Sequence, residues 1–421
     1  MSPPVVDLTL GRRGRGEAAV GEWPLDLLDV PALRATGWRP VPFRHFVVKI
    51  HNRCNLACTY CYMYELADQS WRARPRVMSA SVVTALTRRV AEHVSKHGLP
   101  WIDVVLHGGE PLLAGIEMIE RTSAQIRAAV PASCTVRVQI QTNAVLLEEE
   151  TLARLVRQGI RVGVSLDGAA ATNDRRRRFA DGRGSYDKVA AALRLLGRPQ
   201  YREAFAGILC TIDAESDPVR TYEALLEFSP PNVDFLLPHG NWSSPPPHRE
   251  ATFTPGLYAQ WLLDLFERWY RAPRRETGIR FFDEIIHLVL GGRSTSESIG
   301  LSPVGVIVTD TDGSIEQVDS LRSAYDGAAA AGFDVVRNSF DEVLAHPGVA
   351  ARQIGSRALA ERCRTCPVMK VCGGGHYPHR YRAGAGYRNP SVYCADLKVA
   401  IEHIRQVLLD DVQALREANT T

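Results

Sequence analysis

The chain has 421 residues, 45% hydrophobic and 23% charged, which is ordinary composition for a folded protein with a sizeable core. A formal net charge of +3 is too small to argue for a nucleic-acid or membrane-surface partner. Met1 to Glu22 holds no apolar segment of signal-peptide type, and no run of about 18 apolar residues occurs, so a cytoplasmic chain with no membrane span is expected.

Residues 1–22, rich in Gly and Arg, read as a disordered arm, and Trp23 to Val41 as a proline-containing lead-in. Phe46 to Ile50 is a β-branched strand, followed by polar His51-Asn-Arg and then Cys54-Asn-Leu-Ala-Cys58-Thr-Tyr-Cys61. After a polar, aromatic stretch from Tyr62 to Met78, Ser79 caps a helix to about His97, with Gly98 and Pro100 as stop signals. Strands then alternate with helices. Ile102–Leu106 ends in His107-Gly-Gly-Glu-Pro111, with a helix to about Val130. Val136–Ile140 precedes a helix at 148–158, Val162–Leu166 ends in Asp167-Gly168, and a helix follows at 186–197. Ala206–Ile212, a helix near 218–228 and Val233–Leu237 complete six β/α units. Such alternation implies a parallel sheet with its site at the carboxyl ends of the strands. Beyond it come helices near 255–271 and 281–290, then a hairpin of Gly305–Val308 and Ser314–Val318 about an Asp310-Thr-Asp-Gly313 turn.

Nine cysteines in a reducing compartment read as metal ligands more readily than as disulfides. Cys134 and Cys210 fall in apolar strand-like runs and read as core residues. Cys54, Cys58 and Cys61 supply three thiolates, so a cluster of four irons bound there keeps one iron without a protein ligand. An open position of this kind marks a catalytic site. A zinc knuckle completed by His51, or a reduced C-x2-C pair, is the alternative. Cys363, Cys366, Cys372 and Cys394 fill every position of a second cluster or of a zinc ion.

The first spacing, with Tyr60 in its last gap, resembles the radical SAM superfamily, in which such a cluster chelates S-adenosylmethionine (SAM). That resemblance gives Gly108, Gly109 and Glu110 to the methionine amino group, with Glu110 placed to meet the ammonium. It gives Ser165 and Asp167 to the ribose, with a simple turn at Asp167-Gly168 as the lesser alternative. One arginine of Asn173-Asp-Arg-Arg-Arg-Arg178 then pairs with the SAM carboxylate, and register favours Arg177, with Arg178 the alternative. The second cysteine group resembles the SPASM extension of peptide-modifying radical SAM enzymes. A full extension holds two auxiliary clusters; here His376 and Val318 stand where further cysteines are needed, and none occurs between Cys210 and Cys363. One auxiliary [4Fe–4S] cluster is therefore expected.

Tyr64–Trp71, His107–Leu113, Asp234-Phe-Leu-Leu-Pro-His239, Thr311-Asp-Gly313 and Cys372-Gly-Gly-Gly-His-Tyr-Pro-His-Arg380, together with the first cysteines, look like one family. It is the cyclophane-forming radical SAM/SPASM peptide maturases of FxS-type precursors. The resemblance implies a partial (β/α)6 TIM-like barrel over 23–240, a helical bridge over 241–300 and a reduced SPASM domain over 301–421. It also implies a ribosomal precursor peptide as partner, an external one-electron donor, and a bond between an aromatic ring carbon and the Cβ of a nearby residue. Two other functions compete. One is formylglycine installation, as in the sulfatase maturases, which share the framework but normally carry both auxiliary clusters. The other is a zinc-stapled peptide-binding module.

The catalytic base is expected at Asp319. In sulfatase-maturase relatives an aspartate directly follows the cysteine after the hairpin glycine, and Gly313-Ser-Ile-Glu-Gln-Val-Asp319 keeps that aspartate in register. Its plain alternative is a strand-end residue capping Ser320, and Arg322 is the expected neighbouring cation. Glu284 and Asp283 are the next candidates for the base.

Overall fold

A computed structural model describes residues 28–250 and 252–418; the arm expected at 1–22 lies outside them. The strands are β1 (His45–His51), β2 (Trp101–Gly108), β3 (Thr135–Thr142), β4 (Ile160–Ser165), β5 (Phe205–Thr211) and β6 (Asn232–Leu236). They continue with β7 (Gly278–Ile279), β8 (Val306–Thr309), β9 (Ser314–Glu316) and β10 (Ala330–Asp334). One ten-stranded sheet runs in the order β10-β9-β8-β1-β2-β3-β4-β5-β6-β7. Neighbours from β1 to β7 pair in parallel, and their crossovers carry helices. This is an α/β fold with the expected parallel arrangement.

Alternation along the strands separates core from cavity. In β2, Ile102, Val104 and Leu106 are wholly buried in one core with Leu86 and Val90, whereas Val105 and His107 face a cavity. Helix Ala80–His97 starts where Ser79 Oγ accepts the Val82 N–H and stops at Gly98, whose φ of 56° is left-handed. Val83, Leu86, Val90 and Val94 form its buried stripe.

Several local expectations are corrected. β2 runs through His107 and Gly108, which the sequence places in a turn. The helix expected from Pro111 is a short 3-10 turn (Pro111–Ala114), broken at Gly115 (φ 83°) before helix Ile116–Ala129. Helix Ala170–Arg176, which the sequence reading did not assign, takes in Arg175 and Arg176 of the arginine run. Strand β10 and helix Cys394–Ala418 went unrecognised.

The hairpin β8–β9 does not stand apart from the barrel strands. β8 pairs in parallel with β1, so residues from beyond position 300 extend the same sheet. Val308 and Thr309 lie opposite Val47 and Val48, a register no local pattern could display. The last helix buries Ile401, Ile404 and Val407 in the core shared with Leu262, Phe266 and Phe282. Tyr393 Oη donates to the Pro238 carbonyl at 2.8 Å, tying this segment to the end of β6. Among the described residues no helix is long and apolar enough to cross a membrane.

Candidate active site

The Cys54–Cys61 loop leaves the carboxyl end of β1 and is locked to the end of β2. Gly109 N–H donates to the His51 carbonyl and Glu110 N–H to the Arg53 carbonyl, both at 2.9 Å. The approach is so close that a Cβ on Gly108 would lie 2.0 Å from His51 O, and one on Gly109 1.9 Å from Tyr64 Oη. Glycine is required at both positions by space, and at Gly108 also by its φ of 148°. Cys54, Cys58, Cys61, Gly108, Gly109, Ser165 and Arg177 line one cavity.

Glu110 does not line that cavity. It is completely buried, and its carboxylate accepts from Thr142 Oγ1 (2.7 Å), Asn143 N (2.7 Å) and Leu112 N (2.9 Å). Burial nevertheless raises its pKa above the usual carboxylate range. The motif thus presents the backbone of Gly108 and Gly109 to a ligand, while Glu110 fixes β3 to the turn. This corrects the expectation that its side chain meets an ammonium.

Tyr60 Oη donates to Asp167 Oδ2 at 2.5 Å and accepts from Arg177 Nη1 at 2.8 Å. Asp167 also accepts the Thr211 N–H at 2.9 Å. The carboxylate is therefore committed to Tyr60 and β5 and lies behind the cavity wall, lining a small neighbouring pocket instead. Ser165 remains on the wall, its Oγ accepting from Gln141 Nε2 at 3.0 Å. Of the four consecutive arginines only Arg177 is buried; Arg178 is exposed and turns back to the Asp174 carbonyl. Arg177 Nε is buried with no hydrogen-bond partner. A guanidinium on a cavity wall with its Nε–H unpartnered can donate to a carboxylate.

Burial pushes the Cys54 thiol up to about 11 and Cys61 up to about 12. Cys58 is raised as well, with Arg177 pulling against burial. Three desolvated thiols on one loop suit a metal-bound set, because the metal's charge restores the thiolates that burial opposes.

Asp319 does not cap Ser320; it opens the 3-10 turn Asp319–Ser323 and lines the barrel cavity. That cavity shares Tyr62, His107, Leu236, Leu237 and His239 with the cavity of the cysteine loop. Its Oδ1 sits 2.6 Å from Lys49 Nζ and its Oδ2 3.8 Å from His107 Nδ1. The neighbouring cation is thus Lys49. Arg322 is turned instead to Glu316 (2.6 Å), Asp310 (2.9 Å) and Asp68 (3.5 Å). Lys49 is fully buried and also meets Glu316 (2.9 Å) and Asp310 (3.2 Å). Burial opposes its charge, but these three carboxylates outweigh it and raise its pKa above the ordinary lysine value. Sequence reading passed over Lys49; its signal was a lone lysine within the apolar run Phe46-Val-Val-Lys-Ile50. Glu284 lines the barrel cavity but is held by Thr295 N–H and Oγ1, and Asp283 pairs with Arg275 at 2.6 Å.

Cys363, Cys366, Cys372 and Cys394 meet around a separate cavity of about 420 Å³. Gly373, Gly374 and Gly375 all have positive φ, and the Arg380 guanidinium donates to their carbonyls at 2.6–3.2 Å. This pins the loop after Cys372. Burial raises Cys363 to about 11 and Cys372 to about 12, and the Cys394 thiol adds to both, so the four-thiol set also fits a metal cluster. No cysteine is paired in a disulfide among the described residues, and Cys134 and Cys210 are buried.

Residues 48–218 match the family model of the Radical SAM superfamily. The cysteine-type anaerobic sulfatase-maturating enzyme of Clostridium perfringens (strain 13 / Type A) is 25% identical over 76% of this chain and 85% of its own length. The serine-type anaerobic sulfatase-maturating enzyme of Klebsiella aerogenes is 24% identical over 85% of this chain and 87% of its own. The solved structure of native anSMEcpe with bound AdoMet superposes with a TM-score of 0.74 at 22% identity, covering 88% of this chain and 99% of that one. Streptococcus suis SuiB bound to precursor peptide SuiA gives 0.55 at 14% identity, covering 92% and 85%. At these identities the structural likeness is one of fold.

Proposed function

We propose that this chain, which carries a radical SAM domain, modifies a peptide substrate by installing a carbon–carbon crosslink between an aromatic ring and the Cβ of a nearby residue. The observation that carries the reading is the placement of Asp319, paired with Lys49, on a cavity continuous in its lining with that of Cys54, Cys58 and Cys61. The names of the curated relatives and of SuiB with its precursor peptide support a peptide or protein substrate.

In this reading Cys54, Cys58 and Cys61 hold a [4Fe–4S] cluster, and Cys363, Cys366, Cys372 and Cys394 hold an auxiliary one. When bound, the first cluster and SAM supply a 5′-deoxyadenosyl radical, fed by an external one-electron donor. The protein supplies position and excludes water. Arg177 Nε, unpartnered on the cavity wall, takes the SAM carboxylate, and Tyr60 and Asp167 hold the guanidinium in place. The carbonyl-bearing edge at Gly108 and Gly109 takes the amino group, and Ser165 takes a ribose hydroxyl. Asp319 accepts the proton that leaves the aromatic ring when aromaticity is restored, the accompanying electron would pass to the cluster held by Cys363, Cys366, Cys372 and Cys394, and Lys49 holds the carboxylate in the cavity wall.

Formylglycine installation is the second reading, favoured by the names of the curated relatives. The lack of any cysteine between Cys210 and Cys363 favours the crosslink. One experiment separates them. Reconstituted enzyme is given SAM, a reductant and a peptide bearing Phe-x-Ser, and the product is analysed by mass spectrometry with a hydrazide probe. Loss of two hydrogens in a hydrazide-silent product supports the crosslink. A hydrazide-reactive product refutes it in favour of formylglycine. Cys54→Ala is expected to abolish 5′-deoxyadenosine formation, whereas Cys394→Ala retains some of it and loses the crosslinked peptide.

A further inference from the structure

Two of the stretches singled out in the sequence by family resemblance, Asp234–His239 and Cys372–Arg380, bring three histidines together that the proposed reaction leaves unused. His239 follows β6, His376 is the N-cap of the 3-10 turn Tyr377–Arg380, and His379 lies within that turn. One nitrogen from each ring lies within 4.8 Å of the other two. The ring centroids are 5.0–5.9 Å apart, and His239 packs edge-on against Tyr62 at 4.7 Å. His239 Nδ1 and His379 Nε2 are buried without a hydrogen-bond partner. A buried ring nitrogen left without a partner is destabilising unless something binds it. His376 Nε2 is 3.3 Å from Glu297 Oε1 and 3.3 Å from Ser320 Oγ, beside Asp319. All three rings and Glu297 line the barrel cavity.

We propose that His239, His376 and His379, with Glu297, form a binding site for a divalent first-row transition-metal ion on the wall of the barrel cavity. Imidazole nitrogens suit zinc, iron, nickel and copper, and a carboxylate on a ligating histidine is the usual way its ring is oriented. Metal–nitrogen bonds of about 2.0–2.1 Å require the donors to close by up to about 1.5 Å, which side-chain rotation supplies. Three protein nitrogens leave a coordination position facing the cavity, where a carbonyl or carboxylate oxygen of a peptide can bind. No cysteine is among its donors, and ion binding there does not depend on which reaction the enzyme performs.

The test uses anaerobically reconstituted enzyme with both clusters loaded, given Zn²⁺ alone, desalted, and assayed for zinc and iron. Wild type is expected to retain about one zinc per chain with iron unchanged. His376→Ala and His379→Ala are expected to lower zinc retention at least tenfold with iron content and circular dichroism preserved, and Glu297→Gln to weaken it about 10- to 100-fold. His379 is buried, so if its variant does not fold, His376→Ala on the half-buried ring decides. Three results overturn the site: wild type that retains no zinc, variants that retain as much as wild type, or zinc uptake that rises only as iron is lost.

Discussion

At the scale of single residues, Arg177 shows how far composition and register reach. A run of four arginines reads as a solvated face, and three of the four are at least partly exposed. Register singled out Arg177, and the structure buries that one with an unpartnered Nε. Arg177→Lys keeps the charge and loses the fork, so SAM affinity measured by equilibrium dialysis is expected to fall about 10- to 100-fold. Unchanged affinity would remove Arg177 from the SAM site. Asp319→Asn keeps size and polarity but accepts no proton. It is expected to cleave SAM at near wild-type rate while crosslinked product, quantified by mass spectrometry, drops about 10²- to 10⁴-fold. Glu110 was misread because a sequence cannot say which way a side chain turns at a strand end. Its three hydrogen bonds come from Leu112 and from Thr142 and Asn143 at the end of β3, an element absent from the local pattern.

At the scale of elements, periodic apolar stretches such as Val83, Leu86, Val90 and Val94 were legible because burial writes itself into spacing. Strand ends were not, because β2 is extended by pairing with the His51–Arg53 backbone. Gly109 makes that pairing possible. Gly109→Ala is expected to yield a folded sheet that fails to load the first cluster: iron falls by about half and SAM cleavage is lost. Full iron content in that variant would show that the loop tolerates separation from β2. Helix Ala80–His97 carries a second consequence. His93 is buried among Phe43, Phe46 and Phe340 with Nδ1 3.1 Å from Asp341, and His97 also meets Asp341. Burial lowers its pKa to about 4, with His97 adding to the fall and Asp341 opposing it. The unfolded chain binds a proton at this ring below about pH 6.5 and the folded one does not, so its contribution is present above that pH and lost as pH falls towards 4. His93→Gln keeps a donor for Asp341 and does not titrate. Its melting temperature is expected to fall less than that of wild type between pH 7 and 5, and parallel profiles would exclude the ring as the source.

At the scale of the whole molecule, Lys49 joins parts of the chain that sequence reading kept apart. Its three carboxylate partners follow β8 or lie in and after β9, so a β1 side chain and a C-terminal segment form one buried ion network. Lys49→Met leaves those carboxylates short of a cation and is expected to cost about 3–5 kcal/mol in anaerobic urea unfolding. A loss below about 1 kcal/mol would mean that Arg322 and Arg74, which lies 3.0 Å from Asp310 and 2.9 Å from Glu316, suffice. Strands β1 to β6 were legible because each βαβ step is local in sequence, whereas the two-residue β7 is too short to leave a pattern. The pairing of β8 with β1 was not, because each strand looks complete in its own neighbourhood.

That pairing also sets a clock for synthesis. β1 leaves the ribosome roughly 260 residues ahead of Asp310, and at about 5–20 residues per second its outer edge waits some 13–50 s for β8. During that interval the nascent chain offers an unpaired, β-branched edge of the kind that recruits other strands. A lysine on such an edge deters that pairing. Lys49, an ion-network hub in the finished protein, adjoins that waiting edge in the unfinished one, one residue past the positions that pair with β8.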